Sequence, residues 1–222
     1  MNGYYKKTAS AAWCSAVLGL VGVALAPVAQ ANLLQNGGFE AGSWSNSGSG
    51  WMDVSLSSTA ITGWSLVNNN VAWSAPGNTD GIVAHNGIHS LDLTGFGNIN
   101  PNGGVTQSIS TMIGHSYTVS FFLDAVVGYG IPASVHVQAG GASQTFNKTT
   151  NGWQAYSLDF VATGLNTAIT LSGVRSPNTY YIGLDNVAVT AAPSSVTAPE
   201  PTSLALLSLG LVGMIGARRR YG

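Results

Sequence analysis

The chain has 222 residues, of which only 7% are charged, with 29 glycines and a formal net charge of −1. Five of its seven bases are terminal (Lys6, Lys7, Arg218, Arg219 and Arg220), leaving Lys148 and Arg175 against Glu40, Asp53, Asp80, Asp92, Asp124, Asp159 and Asp185 in the body. That mildly acidic body offers no basic patch to neutralise phosphates, which argues against nucleic-acid binding, and the one cysteine, Cys14, leaves the rest without disulfides, thiol catalysis or cysteine metal sites.

Residues 1–31 read as a signal peptide. Lys6 and Lys7 form a short positive region, an apolar stretch runs from Ala11 to Ala26, and Ala29 and Ala31 supply the small-residue pattern that signal peptidase cuts. Cleavage is expected before Asn32. The alternative is a retained membrane anchor, disfavoured because the cleavage pattern follows the apolar run so closely.

The body, residues 32–190, shows short alternating runs in place of helical periodicity. In "YTVSFFLD" the set Tyr117, Val119, Phe121 and Leu123 faces one way; Thr118, Ser120, Phe122 and Asp124 face the other. "SVHVQA" sets Val135, Val137 and Ala139 against His136 and Gln138, and "YSLDFVA" sets Tyr156, Leu158, Phe160 and Ala162 against Ser157 and Asp159. Ile169 with Leu171, then Val187 with Val189, continue the pattern. Turn clusters such as "PGNTDG" and "NINPNGG" separate the runs. Short strands with regular turn signals predict an all-β sandwich. No repeat of solenoid or propeller length is present. A body of this length buries about 68–70% of its chain surface without disulfides.

Motifs for catalysis are sparse. His85 and His89 stand four apart, but "HNGIH" contains an Asn-Gly turn signal and lacks the glutamate of a zinc-protease motif. There is no G-x-S-x-G elbow and no phosphate-gripping loop. Asp53, Asp80, Asp92, Asp124 and Asp159 are the carboxylates from which a hydrolytic pair would be drawn, and nothing in their spacing brings two together.

Residues 191–198 form a linker of small residues and proline, and residues 199–222 have a composition of their own. Pro199, Glu200 and Pro201 precede an apolar run from Leu204 to Ala217 and the cluster Arg218, Arg219, Arg220. A helix needs roughly 20 residues to cross the hydrocarbon core, and this run is shorter and holds Gly210, Gly213 and Gly216. The order of linker, Pro-Glu-Pro, short apolar helix and arginines resembles the PEP-CTERM sorting signal of Gram-negative bacteria. That resemblance implies transient insertion in the inner membrane, processing by an exosortase, and a body that is secreted or held at the cell surface. The alternative is an ordinary C-terminal anchor.

The body opens "NLLQNGGFEAG", continues through "GWSLV", "NGIHSLDL" and "GGVTQSISTMIGHSYTVSFFLDA", and closes "YIGLDNVAV". This resembles the galactose-binding-like jelly-roll superfamily, in particular the group called domain of unknown function 642, with carbohydrate-binding modules of the family-four type as cousins. The resemblance implies two antiparallel sheets with the first and last strands side by side. It implies binding of polysaccharide or cell-surface glycan without hydrolysis by the domain. It also implies a structural Ca2+ held by Glu40 and Asp185 with turn carbonyls, chemistry that suits a cation taking six to eight oxygens; hydrogen bonding of the two carboxylates to loop backbone is the alternative.

A glycan site needs rings to stack on the sugar and polar groups for its hydroxyls. Phe39, Trp64, Tyr117, Phe121 and Phe160 sit in strand patterns and are expected in the core. Trp44, Trp51, Trp73, Phe96, Tyr129 and Tyr180 sit in or beside loops. A platform of Trp73, Phe96 and Tyr129 with Asn70 and Asn98 is the expected ligand site. Three function classes follow: an exported glycan-binding protein, a structural matrix or biofilm protein without a specific ligand, and, less favoured, a hydrolase.

Overall fold

The computed structural model describes residues 30–95, 100–176 and 178–193. Nearly all of the leader, the platform residues Phe96 and Asn98, and the sorting residues Pro199, Glu200, Pro201, Arg218, Arg219 and Arg220 lie outside these described residues.

Eleven strands follow one another: β1 (Trp51–Val54), β2 (Ser65–Val67), β3 (Val71–Ser74), β4 (Ser90–Asp92), β5 (Gly104–Ser110), β6 (Ser116–Asp124), β7 (Ala133–Ala139), β8 (Ala142–Lys148), β9 (Gln154–Val161), β10 (Asn166–Gly173) and β11 (Gly183–Ala191). A single 3₁₀ turn, Val127–Tyr129, interrupts them. They form two antiparallel sheets, one ordered β1-β3-β4-β11-β6-β9 and one ordered β2-β5-β10-β7-β8. The protein is an all-β jelly-roll sandwich.

Alternation along the strands makes the core. Tyr117, Val119, Phe121 and Leu123 of β6, Val135, Val137 and Ala139 of β7, and Ile169 and Leu171 of β10 are buried between the sheets. Leu184, Val187 and Val189 of β11 join them. The outward residues of β9, Ser157 and Asp159, are exposed.

The opening residues run beside β11. Leu33 N–H donates to the Val189 carbonyl at 2.8 Å. The Asn32 side chain accepts from Val189 N–H at 2.9 Å and donates to the Val187 carbonyl at 3.2 Å. The register of β11 against β6 shifts between Asp185 and Ala188, with Asn186 at φ +49°. Such a bulge re-aims side chains, and asparagine tolerates the left-handed region there.

Trp73 corrects an expectation. It lies inside β3, opposite Met52 and Leu91, and is 1% exposed. Its indole N–H donates to the Phe39 carbonyl at 3.0 Å. All four residues of β3 are buried, because a loop covers the outer face of the sheet at this point. A short strand buried on both faces has no alternation, so its residues read as loop in the sequence.

Candidate functional site

The outer face of the six-stranded sheet carries the polar chemistry. Ala72 pairs with Asp92, Asp92 with Gly183, and Gly183 with Asp124, so one row crosses β3, β4, β11 and β6. Its neighbours Leu91, Leu184 and Leu123 point into the core, which turns the row outward. Gly183 leaves room for the Tyr181 hydroxyl: a Cβ there would stand 2.4 Å from that oxygen and 2.8 Å from Asp124 Cβ.

Asp92 Oδ1 accepts the N–H groups of Thr94 at 2.9 Å and Ile182 at 3.0 Å, and the Thr94 hydroxyl reaches both carboxylate oxygens at 2.9 Å. Burial pushes its carboxyl up to about 7, against the lowering effect of the Ile182 and Thr94 hydrogen bonds; Asp80 adds a further upward push. Asp124 is raised too, chiefly by burial, with Lys148 opposing. Lys148 is itself buried, its ammonium donating to the carbonyl and hydroxyl of Thr150 and to the Asn151 carbonyl.

Over one end of this row opens a cleft of about 390 Å³. Ala72, Ser74 and Asp92 supply strand residues to it, and Trp51 of β1 lies opposite Ser74. Thr79, Asp80 and Ile82 belong to the loop after β3; Tyr129 and Tyr180 come from two further loops. Asn78 braces the first loop, donating to the Ala75 and Ile82 carbonyls at 2.9 and 2.6 Å and accepting from Ile82 N–H at 2.9 Å. The Tyr129 hydroxyl donates to Asp80 Oδ1 at 3.2 Å, and Tyr180 N–H donates to the Tyr129 carbonyl at 2.7 Å. The Tyr180 side chain is 59% exposed. Three aromatic residues and two carboxylates therefore converge on one concave surface.

Glu40 and Asp185 meet on either side of the turn at residues 85–89. Asp185 Oδ2 accepts the N–H groups of His85 at 2.9 Å and Asn86 at 3.1 Å, and Oδ1 accepts Asn186 N–H at 2.6 Å. Glu40 Oε1 accepts the N–H groups of Ile88 at 3.0 Å and His89 at 2.9 Å. Burial, with Glu40 adding its charge, raises the Asp185 carboxyl to about 6 despite these hydrogen bonds. Both Asp185 oxygens and Glu40 Oε1 accept backbone N–H groups while keeping further lone pairs, and a calcium ion here would need the rest of its six to eight oxygens from turn carbonyls. No group of three acidic or histidine side chains among the described residues stands ready to hold a metal.

The comparisons with known proteins agree with this architecture at the level of family. The family model described as "Protein of unknown function (DUF642)" matches residues 32–190. The chain belongs to this family. A second model, the PEP-CTERM protein-sorting motif, matches residues 197–220 and marks this DUF642 chain as an exported protein. No helix among the described residues is long and apolar enough to cross a membrane. No curated protein matches the chain in sequence. Among solved structures, it is similar to the EclA C-terminal domain, a sugar-binding protein, at 18% identity over 38% of this chain and 64% of that one, with a TM-score of 0.34. It is similar to TmCBM61, solved in complex with β-1,4-galactotriose, at 17% identity over 73% of this chain and 99% of that one, TM-score 0.43. It is also similar to the CBM22-1 xylan-binding domain from Paenibacillus barcinonensis Xyn10C, at 15% identity over 63% and 92%, TM-score 0.39.

Of the expected platform in this DUF642 chain, Tyr129 lines the cleft. Trp73 does not, being buried in the core. Asn70 is half-buried at the turn before β3, where its amide donates to Asp53 Oδ1 at 2.5 Å. The cleft residues Trp51, Tyr180, Asp80 and Asp92 were outside that platform. Trp51 and Tyr180 carry a signal as aromatics beside turns. Asp80 and Asp92 carry none: their spacing in the sequence does not pair them, and they share the cleft through the fold alone. Strand register and the 75–82 loop bring them together. His85 and His89 do not form a metal pair: the His85 ring stacks on Phe122 with centroids 3.6 Å apart, and the buried His89 places Nδ1 3.0 Å from the Ser74 carbonyl.

Proposed function

We propose that the protein is an exported, non-catalytic carbohydrate-binding protein that holds a polysaccharide or cell-surface glycan in the cleft of Trp51, Tyr129 and Tyr180. The observation carrying this reading is the meeting of three aromatic residues with Asp80, Asp92, Ser74 and Thr79 around one concavity. Rings cover the apolar face of a pyranose, and the carboxylates and hydroxyls take its hydroxyl groups. The tie of Asp92 to Thr94 and Ile182 suits a fixed acceptor. Removal of the tail by an exosortase, of the leader by signal peptidase, and action on exopolysaccharide complete the reading. A glycan array followed by titration of the best ligand tests it. Tyr180→Ala and Tyr129→Ala should each weaken binding at least tenfold with the fold intact. Unchanged retention by both variants, or no glycan bound at all, rejects the cleft reading and leaves a matrix protein without specific ligand.

One observation favours a second reading, hydrolysis. A carboxyl with a pKa of about 7 shares the cleft with Asp80, and glycosidases pair a protonated acid with a second carboxylate. Turnover of glycosides that is lost in Asp92→Asn would establish it.

A further inference from the structure

The end of the sandwich opposite the cleft is apolar. The turn between β5 and β6 exposes Met112 at 60% and Ile113 at 62%; the turn between β9 and β10 exposes Leu165 at 69%, and Val161 at the end of β9 is 51% exposed. These are adjacent turns. Thr111 N–H donates to the Leu165 carbonyl at 2.9 Å, Gly114 N–H to the Ala162 carbonyl at 2.8 Å, and Ala162 N–H to the His115 carbonyl at 2.9 Å. The Thr111 hydroxyl donates to the Gly164 carbonyl at 2.8 Å, and Met112 N–H donates to the Tyr117 hydroxyl at 2.8 Å. The backbone is thus bonded within the tip, which lowers the cost of taking it out of water. Between residues 111–115 and 162–165 the only ionisable side chain is His115.

The chain leaves the sandwich at this same end. Ala191 pairs with Tyr117, and Ala192 N–H donates to the Ser116 carbonyl at 2.8 Å. The apolar run of the sorting segment begins at Leu204, twelve positions after Ala192. Twelve residues span at most about 43 Å when fully extended. The Met112–Ile113–Leu165 tip is the end of the body from which the chain departs toward that run.

We infer that this tip is a lipid-contact surface: Met112, Ile113, Leu165 and Val161 settle into the interfacial region of the membrane while the sorting segment is in place. The contact is apolar, since the two turns hold no lysine or arginine for anionic headgroups and His115 is their one ionisable side chain. It fixes orientation as well as distance. β6 runs from Ser116 at the tip to Asp124 in the polar row, nine residues or about 27 Å along a strand. The opposite end of the sandwich is thereby turned away from the membrane. The inference rests on the sorting motif and is independent of the glycan reading.

The test uses the full chain with its tail retained, in a Cys14→Ser background. A spin label is placed through Ile113→Cys, Leu165→Cys or Val161→Cys, with Val127→Cys at the far end as reference. Collision rates with oxygen and with a water-soluble nickel complex are measured with and without phosphatidylcholine vesicles. The expected result is a several-fold rise in the oxygen-to-nickel ratio at 113, 165 and 161 on adding vesicles, none at 127, and no dependence on added anionic lipid or salt. Aqueous values at all positions, or lipid exposure at 127 in their place, overturn the inference. Protection without vesicles also overturns it: at all concentrations it assigns the tip to the chain's own apolar run, and only at high concentration to a second copy. Because three tip positions are labelled separately, the failure of one variant to fold leaves the others to decide.

Discussion

Both ends of β6 expose apolar side chains, Val127 and Ile131 beyond Asp124 and Met112 and Ile113 before Ser116, but only the Asp124 end sets buried carboxylates beside them. At the Asp124 end, carboxylates sit in register across three strands and are raised by burial; at the Ser116 end, two turns bond their own backbones and present large apolar side chains to solvent. Antiparallel strands with short turns build both. The polar end depends on strand register and loop cover, so it is costly to disturb. The apolar end rests on two local turns, and its side chains support nothing beneath them.

That contrast predicts a gradient of effects. Trp73→Ala removes a buried ring under the polar row and should cost about 3–5 kcal/mol, read as a lower urea midpoint at unchanged slope; a loss under about 1 kcal/mol would mean that the outer-face loops are not seated on the core.

Solution pH should act almost as strongly. Asp92 has its carboxyl raised from 3.8 to about 7, and Asp185 to about 6. The folded state therefore binds more protons than the unfolded chain in this window. The associated stability is fully present below about pH 4 and is lost as pH rises through 6 and 7. For Asp92 the full swing is on the order of 4 kcal/mol. The melting temperature should fall by several degrees between pH 5 and pH 8, and Asp92→Asn should flatten most of that slope. A flat profile in the unsubstituted protein would show that water reaches Asp92.

The carboxylate clamp comes next. Asp185→Ala leaves the N–H groups of His85, Asn86 and Asn186 without their acceptor, at a cost of about 1–3 kcal/mol. Chelator tests the calcium expectation for Glu40 and Asp185: a fall of several degrees in the melting midpoint supports a bound ion, and an unchanged midpoint leaves the two carboxylates to the backbone N–H groups alone. At the apolar end, Ile113→Asp and Leu165→Asp should change stability by no more than about 0.5 kcal/mol. A larger loss would mean that the tip packs against something within the body.

The strands that carry this contrast are legible in the chain, though the contrast itself is not. The alternation in β6, β7, β9 and β10 is visible because each has one buried and one wetter face, so apolar and polar residues take turns. Trp73 was misplaced because β3 is only four residues long and buried on both faces. Its companions Ala72 and Ser74 are small enough to look like turn residues. Tyr129 reads as a loop aromatic of the expected platform, and it lines the cleft. The clamp residues Glu40 and Asp185 were paired through the resemblance of the chain ends, and they do approach each other. Their partners are the N–H groups of His85, Asn86, Ile88, His89 and Asn186, which carry no side-chain signature.

The sequence by itself determined the class of fold, the exported address and a body without a basic patch or a thiol. Each follows from composition or from a local pattern that one stretch of chain displays. Tertiary structure alone decided which acids share a cleft and what burial does to them. Asp80 and Asp92 are neighbours only because β4 takes its register from β3 and β11 while the 75–82 loop folds back over the sheet. The raised carboxyl of Asp92 has the same cause, because desolvation is set by what covers a group and not by its neighbours along the chain. The same holds for the tip: Met112, Ile113 and Leu165 are ordinary apolar residues in the sequence, and only the sandwich shows that they share the end from which the sorting segment departs.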